Sequence, residues 1–345
     1  MDTGIKRSEK LSQVISALTQ PLHIIVTQVD PDAIGSAFAL MHIIVSKKKA
    51  SQIFYCGNIG HPQNRCVVNK YNLNAVMKSI QTRNAPENTP VAIIDSSTAD
   101  DARLGNLRGK ISPLIVIDHH RGSEIQETEN TFVHIEDMGA CCTLMIELMN
   151  EMGFKFNELN ERLPLLLALG IYTDTKALVS ATDRDREAYS AVTKMFSASE
   201  MAELIRYQLP ESHFKHLKVA LENMQRAGSR LVTGVGGISA ENGDDLSTIA
   251  DWLIRMDGIS LAAVWGRIGD KVRMSVRNRD LTTPLDEFLK KRFGANAGAK
   301  LSPDGIGEGG GLITLELGFL FSEDTAKEID FIVNKSLAKI FFNDA

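Results

Sequence analysis

The chain has 345 residues, with 38 lysines and arginines against 43 aspartates and glutamates, which gives a net charge of −5. This mild acidity argues against a protein that coats duplex DNA, because such proteins carry a dense basic face. It does not exclude a small anionic substrate held by a metal ion. A content of 43% hydrophobic and 23% charged residues is typical of a soluble globular protein, and the length predicts two domains.

Cysteine usage and the N-terminal segment indicate the cellular compartment. The 4 cysteines show no zinc-ligand spacing, which favours reduced thiols. The first residues are charged and lack the apolar run of a signal peptide. The longest nearly apolar stretch, residues 33–45, is too short for a membrane span. We therefore expect a cytoplasmic protein without a membrane partner.

From Leu22 to about Glu187, short apolar runs alternate with helical patterns. Strands are predicted at 23–26, 52–56, 91–94 and 114–117, and helices at 33–48, 69–82, 140–152 and 163–172. Alternation of this kind predicts an α/β fold with a mostly parallel sheet that carries helices on both faces.

The pattern changes near residue 186, where two helical stretches follow each other without a strand between them. Beyond them the sequence predicts a smaller α/β domain with a mixed sheet, including a hairpin at Gly269-Asp270. The glycine-rich stretch 294–311 is interpreted as a long loop. We predict a first domain at 1–187, a helical linker at 188–215 and a second domain at 216–345.

Apolar strands of the first domain run repeatedly into potential metal ligands. These residues are Asp30, Asp32, Asp95, Asp118, His119 and His120, and a helical run later ends in Asp174. Functional groups of open α/β sheets gather at the carboxyl ends of the strands, so the residues can converge. Carboxylates forced together repel unless a cation lies among them. Carboxylates mixed with imidazole suit a divalent metal, with Mn²⁺ or Mg²⁺ favoured and Co²⁺ or Zn²⁺ open, and two such ions would make a hydrolase site.

Four motifs in this order resemble those of the DHH phosphoesterase family. They are Asp30-Pro31-Asp32 with its small-residue helix, Asp95-Ser96-Ser97, Asp118-His119-His120-Arg121 and Asp174-Thr175. The resemblance covers about the first 190 residues. It implies one metal held by Asp30 and Asp95. It implies a second metal, with Asp95 bridging, held by Asp32, Asp95, His119 and Asp174.

The resemblance also implies catalytic roles for Asp118 and His120, with His120 facing the scissile phosphate. Arg121 is expected to contact the substrate. One residue departs from the family pattern, because Val26 stands where the family usually has a histidine ligand of the first metal. Gln28 as a weak ligand and a one-metal site are both left open.

The C-terminal half resembles the DHHA1-like accessory domain of nucleotide-cleaving members. The resemblance is carried by two segments, which are Ser275-Val276-Arg277 and the glycine run Gly309, Gly310 and Gly311. It implies that Arg277 and Ser275 bind the substrate phosphate, while a glycine-rich turn lets backbone N–H groups approach it. The family motif continues with histidine, and here Leu312 stands in that place.

These observations predict a metal-dependent phosphoesterase that hydrolyses phosphate esters by metal-activated water. The expected substrates are short single-stranded oligonucleotides, 3′-phosphoadenosine 5′-phosphate, or cyclic and linear dinucleotides. An inorganic pyrophosphatase and a catalytically impaired nucleotide-binding regulatory protein are the alternatives. The sequence leaves a homodimer open.

Overall fold

The computed structural model describes residues 6–80, 89–120, 125–160, 162–302, 304–316, 322 and 324–343. The chain divides into two compact units. The first comprises Met1–Ile59 and Gln63–Gln208, and the second comprises Gly60–Pro62 and Leu209–Ala345. In this division most of the segment 188–215 lies with the first unit. A separate linker between domains at 1–187 and 216–345 remains a prediction.

The first unit alternates strands and helices as the sequence predicts. Its strands are β1 (Leu22–Val26), β2 (Ser51–Tyr55), β3 (Met77–Ser79), β4 (Val91–Ile94), β5 (Ile115–Asp118) and β6 (Phe132–Ile135). Its helices are α1 (Arg7–Ser16), α2 (Pro31–Ser46), α3 (Pro62–Lys70), α4 (Cys141–Glu151), α5 (Arg162–Asp174), α6 (Asp183–Thr193) and α7 (Ala198–Ile205).

All six strands are parallel, in the order β3-β2-β1-β4-β5-β6. The chain order reverses between β1 and β4, so the loops after these two strands leave the sheet in opposite directions. Such a reversal opens a crevice at the carboxyl edge of a parallel sheet. Asp30 and Asp95 follow β1 and β4, which places both at this crevice.

The main core lies on the face of this sheet that α2, α4 and α5 cover. The other face carries a smaller apolar cluster, formed by Ile25, Val91 and Ile93 with Leu104 of the short 3₁₀ helix Ala102–Leu107. The expected α/β architecture of a parallel sheet with helices is confirmed. One predicted helix, 69–82, is wrong, because α3 ends at Lys70 and β3 follows. Asn72 has a positive φ of 51°, which interrupts the helix.

Two glycines let α5 approach α2 and α4 closely. A Cβ atom on Gly170 would lie 2.6 Å from Cys142 Sγ and 2.8 Å from Asp32 Cα. A Cβ atom on Gly35 would lie 2.7 Å from the same sulfur atom. Real side chains do not tolerate such distances. The two glycines therefore allow the N-terminal turn of α2, which carries Asp32, to lie beside the start of α4.

A left-handed turn follows α5. Lys176, Ala177 and Leu178 have φ angles of 52°, 59° and 67°, a region that costs a residue with a Cβ atom roughly 1–2 kcal/mol. Two hydrogen bonds hold the turn: Ala177 N donates to Tyr172 O at 2.7 Å, and Leu178 N donates to Thr175 Oγ1 at 3.2 Å. Local strain is thus stored directly after Asp174.

We predict that glycine relieves this strain. Ala177→Gly should raise the free energy of unfolding by about 0.5–1 kcal/mol, because glycine adopts a positive φ without a steric penalty. The same exchange within a regular helix, Ala202→Gly in α7, should lower it by about 0.5–1 kcal/mol. Urea denaturation of both variants measures the two signs, and a loss of stability in Ala177→Gly would contradict the strain.

The second unit contains a mixed six-stranded sheet, as expected. Its strands are β7 (Gln225–Ala227), β8 (Arg230–Gly237), β9 (Leu261–Ile268), β10 (Lys271–Asn278), β11 (Ala297–Leu301) and β12 (Gly307–Thr314), in the order β11-β12-β10-β9-β8-β7. Of the strand pairs that the structure describes here, β8–β9 is parallel and the other four are antiparallel. Its helices are α8 (Glu211–Glu222), α9 (Asp245–Leu253), α10 (Leu285–Phe293) and α11 (Ala326–Asn343).

The interpretation of 294–311 as a long loop, and of the glycine run as a turn, is wrong. The glycines lie in β12, which pairs with both β10 and β11. A Cβ atom on Gly310 would lie 2.5 Å from Met274 O, and one on Gly309 would lie 2.6 Å from Leu289. The glycines therefore serve close packing within the sheet. Among the helices that the structure describes, none is long and apolar enough to cross a bilayer.

Candidate metal centre

The carboxyl edge of the first sheet brings together side chains from four places in the sequence. Asp32 lies in the first turn of α2, Asp95 follows β4, His119 follows β5, and Asp174 ends α5. The distances from His119 Nε2 are 3.4 Å to Asp95 Oδ1, 3.5 Å to Asp174 Oδ2 and 3.9 Å to Asp32 Oδ2. The ligand atoms of Asp32, His119 and Asp174 all lie within 4.8 Å of one another.

Several polar atoms of this cluster are buried without a hydrogen-bond partner. They are His119 Nε2, Asp95 Oδ1 and Asp118 Oδ2. A buried polar atom without a partner is costly, and a charged carboxylate is more so. A divalent cation coordinated by these atoms would remove that cost. The set of hard carboxylates and one imidazole therefore fits a metal ion such as Mn²⁺ or Mg²⁺.

The electrostatics of the cluster follow from burial and mutual proximity. Burial, with the charge of Asp95, raises the pKa of Asp32 to about 6. Burial also raises the pKa of Asp174, helped by the charge of Asp32. Burial lowers the pKa of His119, but contact with Asp95 and the charge of Asp32 outweigh it and raise that pKa to about 11. Without a cation, the site therefore favours bound protons on Asp32, Asp174 and His119, which lower its negative charge.

Asp32 is fixed by the N-terminus of α4. Its Oδ2 accepts a hydrogen bond from Cys141 N at 2.6 Å, and its Oδ1 accepts one from Cys142 N at 2.8 Å. These N–H groups belong to the first turn of the helix, where the helix dipole favours negative charge. The helix thus supports an ionised Asp32, fully buried, next to other carboxylates.

Asp118 holds the two histidines that follow it. Its Oδ1 accepts hydrogen bonds at 2.8 Å from His119 N and from His120 Nδ1. The His120 side chain is 49% exposed. The sequence assigned Asp118 to catalysis, and the structure places its carboxylate among potential metal ligands. The ligand atoms of Asp95, Asp118, His119 and His120 lie within 4.8 Å of one another.

Asp30 belongs to neither of these two groups. Its Oδ1 accepts a hydrogen bond from Ala33 N at 2.9 Å and so caps α2. Burial, with the charge of Asp95, raises the pKa of Asp30 to about 8, which places it close to the cluster. The ligand pair of Asp30 and Asp95 for a first metal remains a prediction.

The position of the missing family histidine is apolar. Val26 is fully buried in β1 and packs in the main core. Gln28 is already engaged, because its Oε1 accepts a hydrogen bond from Arg103 Nη1 at 2.6 Å, and Arg103 also pairs with Asp101. Val26 supplies no ligand atom, and a role of Gln28 as a weak ligand remains a prediction.

Asp95 adopts a left-handed backbone conformation with a φ of 56°. Aspartate and asparagine tolerate this region better than most residues, because their short polar side chains bond locally. Asp95 N donates to Ile117 O at 2.9 Å and keeps the end of β4 tied to β5. Asparagine is therefore the substitution that tests the charge of Asp95 without disturbing its backbone.

The other residues predicted to bind substrate lie in the second unit, except Arg121, which lies outside the described residues. Arg277, Gly309 and Gly310 line an open cavity of about 410 Å³, and Gly311 follows them in β12. Arg277 is 8% exposed and donates from Nε to Asp251 Oδ1 at 2.6 Å.

Arg277 also donates from Nη1 to Ser275 Oγ at 3.1 Å. The predicted pair of Ser275 and Arg277 is thus assembled. The guanidinium group of Arg277 already binds the carboxylate of Asp251, so a phosphate would compete with Asp251 for it.

Sequence reasoning missed the groups that orient the ligands. They are the backbone N–H groups of Cys141 and Cys142 and the carbonyl of Met138, which accepts the Nδ1–H of His119 at 3.0 Å. Nearly every residue carries the same backbone N–H and C=O groups, so the sequence does not show which of them bind a ligand side chain. The only trace was the position of the small residues 139–140 directly before an apolar helix.

We predict that Asp30 destabilises the metal-free protein at alkaline pH. A carboxyl group whose pKa rises from 3.8 to about 8 on folding binds its proton more tightly in the folded state. The bound proton therefore stabilises the folded protein, and this contribution is lost as the pH rises from 3.8 to about 8. Asp30→Asn, which retains the helix cap, should increase stability at pH 8 in EDTA and have little effect at pH 4.

Urea denaturation at both pH values measures this difference. Asp183→Asn is the control, because the Asp183 side chain is 98% exposed. An equal effect of Asp30→Asn at both pH values would contradict the linkage.

Comparisons with known proteins agree with this geometry. Residues 23–171 match the model of the DHH family, N-terminal domain. The chain is 30% identical over 297 residues to the uncharacterised protein MJ1633 of Methanocaldococcus jannaschii, covering 84% of this chain and 59% of that protein. It is 26% identical over 168 residues to a probable manganese-dependent inorganic pyrophosphatase of Lactobacillus helveticus, covering 48% of this chain and 51% of that protein. The chain thus spans little more than half the length of these two relatives.

A solved structure shares the fold over nearly the whole chain. It is an exopolyphosphatase-related protein from Bacteroides fragilis, with a TM-score of 0.68 and 13% sequence identity, covering 98% of each chain. The matched segment 23–171 contains the Asp-x-Asp loop, Asp95 and the Asp-His-His triplet and ends just before Asp174. Over this segment, the chain is similar to the N-terminal domain of the DHH family.

Proposed function

We propose that this protein is a metal-dependent phosphoesterase that hydrolyses phosphate esters of short oligonucleotides or small nucleotides, with Mn²⁺ as the preferred ion. The observation that carries the proposal is the convergence of three aspartates on His119 Nε2, at distances of 3.4–3.9 Å. Buried polar atoms of this cluster have no hydrogen-bond partner, which distinguishes the cluster from an ordinary hydrogen-bonded network. The family match and the pyrophosphatase relative, whose name specifies manganese, support it.

Each residue has a distinct role in this proposal. A divalent ion held by Asp32, Asp95, His119 and Asp174 would activate water and neutralise charge on the phosphoryl group. The chain itself then has to orient the substrate and supply a proton.

We assign both tasks to His120, because Asp118 binds its Nδ1 and the side chain is 49% exposed. In the protonated state its ring would donate to a phosphate oxygen or to the leaving group.

The choice of a nucleotide substrate is supported by the second unit. It carries a shallow, open cavity of about 410 Å³ with Arg277, Lys300, Glu308 and glycine backbone in its lining. An arginine with a lysine suits an anionic ligand. Inorganic pyrophosphate is the second candidate, favoured by the pyrophosphatase relative, which the chain matches over 168 residues.

We predict hydrolysis of at least one member of a substrate panel in Mn²⁺. The panel comprises dinucleotides, 3′-phosphoadenosine 5′-phosphate, cyclic dinucleotides and pyrophosphate. Asp95→Asn should lower the rate by roughly 10³-fold, because the variant loses a charge that the ion requires. Asp100→Asn, five positions away at an exposed ion pair with Arg108, should not change it.

Binding of one of these compounds without hydrolysis would instead favour the regulatory alternative. Hydrolysis of pyrophosphate alone would overturn the nucleotide assignment.

His120 should act on the substrate and contribute little to metal affinity. His120→Gln is expected to lower kcat by roughly 10²–10⁴-fold, the range for a group that transfers a proton in the transition state. The affinity for Mn²⁺, measured by calorimetric titration, should stay within about twofold of the wild type. A parallel loss of metal affinity would show that His120 is a ligand, since its ring also lies in the ligand group with Asp95.

A further inference from the structure

Asp185 is a fully buried carboxylate outside the four motifs. It occupies the third position of α6, where it forms a reciprocal cap with Thr182. Its Oδ2 accepts hydrogen bonds from Thr182 N at 2.8 Å and from Thr182 Oγ1 at 2.7 Å. A helix cap of this kind ordinarily lies at the surface and does not require complete burial.

The same carboxylate reaches the segment before α4. Asp185 Oδ1 accepts a hydrogen bond from Thr143 Oγ1 at 2.6 Å, and Oδ2 accepts one from Gly139 N at 3.2 Å. The two donors flank residues 140–142. A Cβ atom on Gly139 would overlap Asp185 Oδ2 and would lie 2.7 Å from Thr175 Cγ2, so glycine is needed for this approach.

The segment that Asp185 holds supplies the contacts that orient two candidate metal ligands. Met138 O is 3.0 Å from His119 Nδ1, and a carbonyl only accepts, so Nδ1 carries the proton. Nε2 of His119 is therefore the ring nitrogen that faces the carboxylates and would bind a metal ion on release of its proton. Cys141 N and Cys142 N, in the same segment, bind the two oxygens of Asp32.

We propose that Asp185 is a positioning residue of the metal centre, which acts through residues 138–143 on His119 and Asp32. The inference rests on the proposed metal site but concerns a residue that contacts no ligand itself. Groups behind metal ligands fix the tautomer and the orientation of the ligands, and their loss typically weakens metal binding 10–100-fold. Asp185 reaches both ligands through a single backbone segment.

A second helix cap in the same unit provides a matched comparison. In α7, Ser197 Oγ accepts from Glu200 N, and Glu200 Oε2 accepts from Ser197 N at 2.8 Å. This is the same exchange of hydrogen bonds that Thr182 and Asp185 form in α6. The Ser197 cap is exposed, and its side-chain hydrogen bonds among the described residues stay within 197–200. Glu200→Gln therefore removes the charge of a helix cap without touching the segment at 138–143.

The test measures Mn²⁺ affinity by calorimetric titration of Asp185→Asn, Glu200→Gln and the wild type. Asp185→Asn should weaken binding 10–100-fold, because an amide cannot accept from all of the donors around it. Glu200→Gln should leave the affinity unchanged. Equal affinity in Asp185→Asn and the wild type would overturn the positioning role, and so would an equal loss in both variants.

A second readout in the metal-free protein does not depend on the metal. In spectra of protein labelled with ¹⁵N-histidine, the wild type should show a protected Nδ1–H resonance for His119, which Asp185→Asn should lose or broaden. If the wild type shows this resonance but binds no Mn²⁺, the proposed function fails while the positioning is still tested. An unchanged resonance in Asp185→Asn would refute the positioning directly.

Variants at Thr143 keep the proposal testable if Asp185→Asn does not fold. Thr143→Val removes only the hydroxyl donor to Asp185, whereas Thr143→Ser retains it. We expect Mn²⁺ affinity to fall several-fold in the valine variant and to stay near the wild-type value in the serine variant. Equal affinities in the two variants would contradict the account.

Discussion

The structure of the first unit depends on one electrostatic constraint, the confinement of several carboxylates at the carboxyl edge of a parallel sheet. Burial and mutual repulsion raise the pKa of Asp30, Asp32 and Asp174, so the folded chain favours protons or a cation there. Apolar packing supplies the stability that permits this, because β1, β4 and β5 are almost completely buried. The sheet therefore maintains an unfavourable charge cluster that a divalent ion would make favourable.

Other elements of the fold are arranged around that cluster. Gly35 and Gly170 allow α2, α4 and α5 to meet closely, which brings Asp32 to the N–H groups at the start of α4. Asp95 takes a left-handed conformation at the end of β4, and a left-handed turn follows Asp174. Strain of this kind persists only where the surrounding packing enforces it, and both instances lie beside candidate ligands.

Much of the first unit could be predicted from the sequence, because apolar runs that end in aspartate or histidine mark strand ends. The order and spacing of Asp32, Asp95, His119 and Asp174 were enough to anticipate their convergence. The orienting contacts could not be predicted, since they use the backbone of Met138 and Cys141. In the second unit, glycines were mistaken for a loop because the close approach of neighbouring strands that they permit has no local sequence signal.

The central claim is that the cluster around His119 binds a divalent ion. A crystal structure of the protein grown with Mn²⁺, with anomalous scattering data, tests it most directly. We predict an anomalous peak within coordination distance of His119 Nε2 and of the carboxylates of Asp32, Asp95 and Asp174. A His119 imidazole hydrogen-bonded to these carboxylates, with no peak among them, would contradict the account.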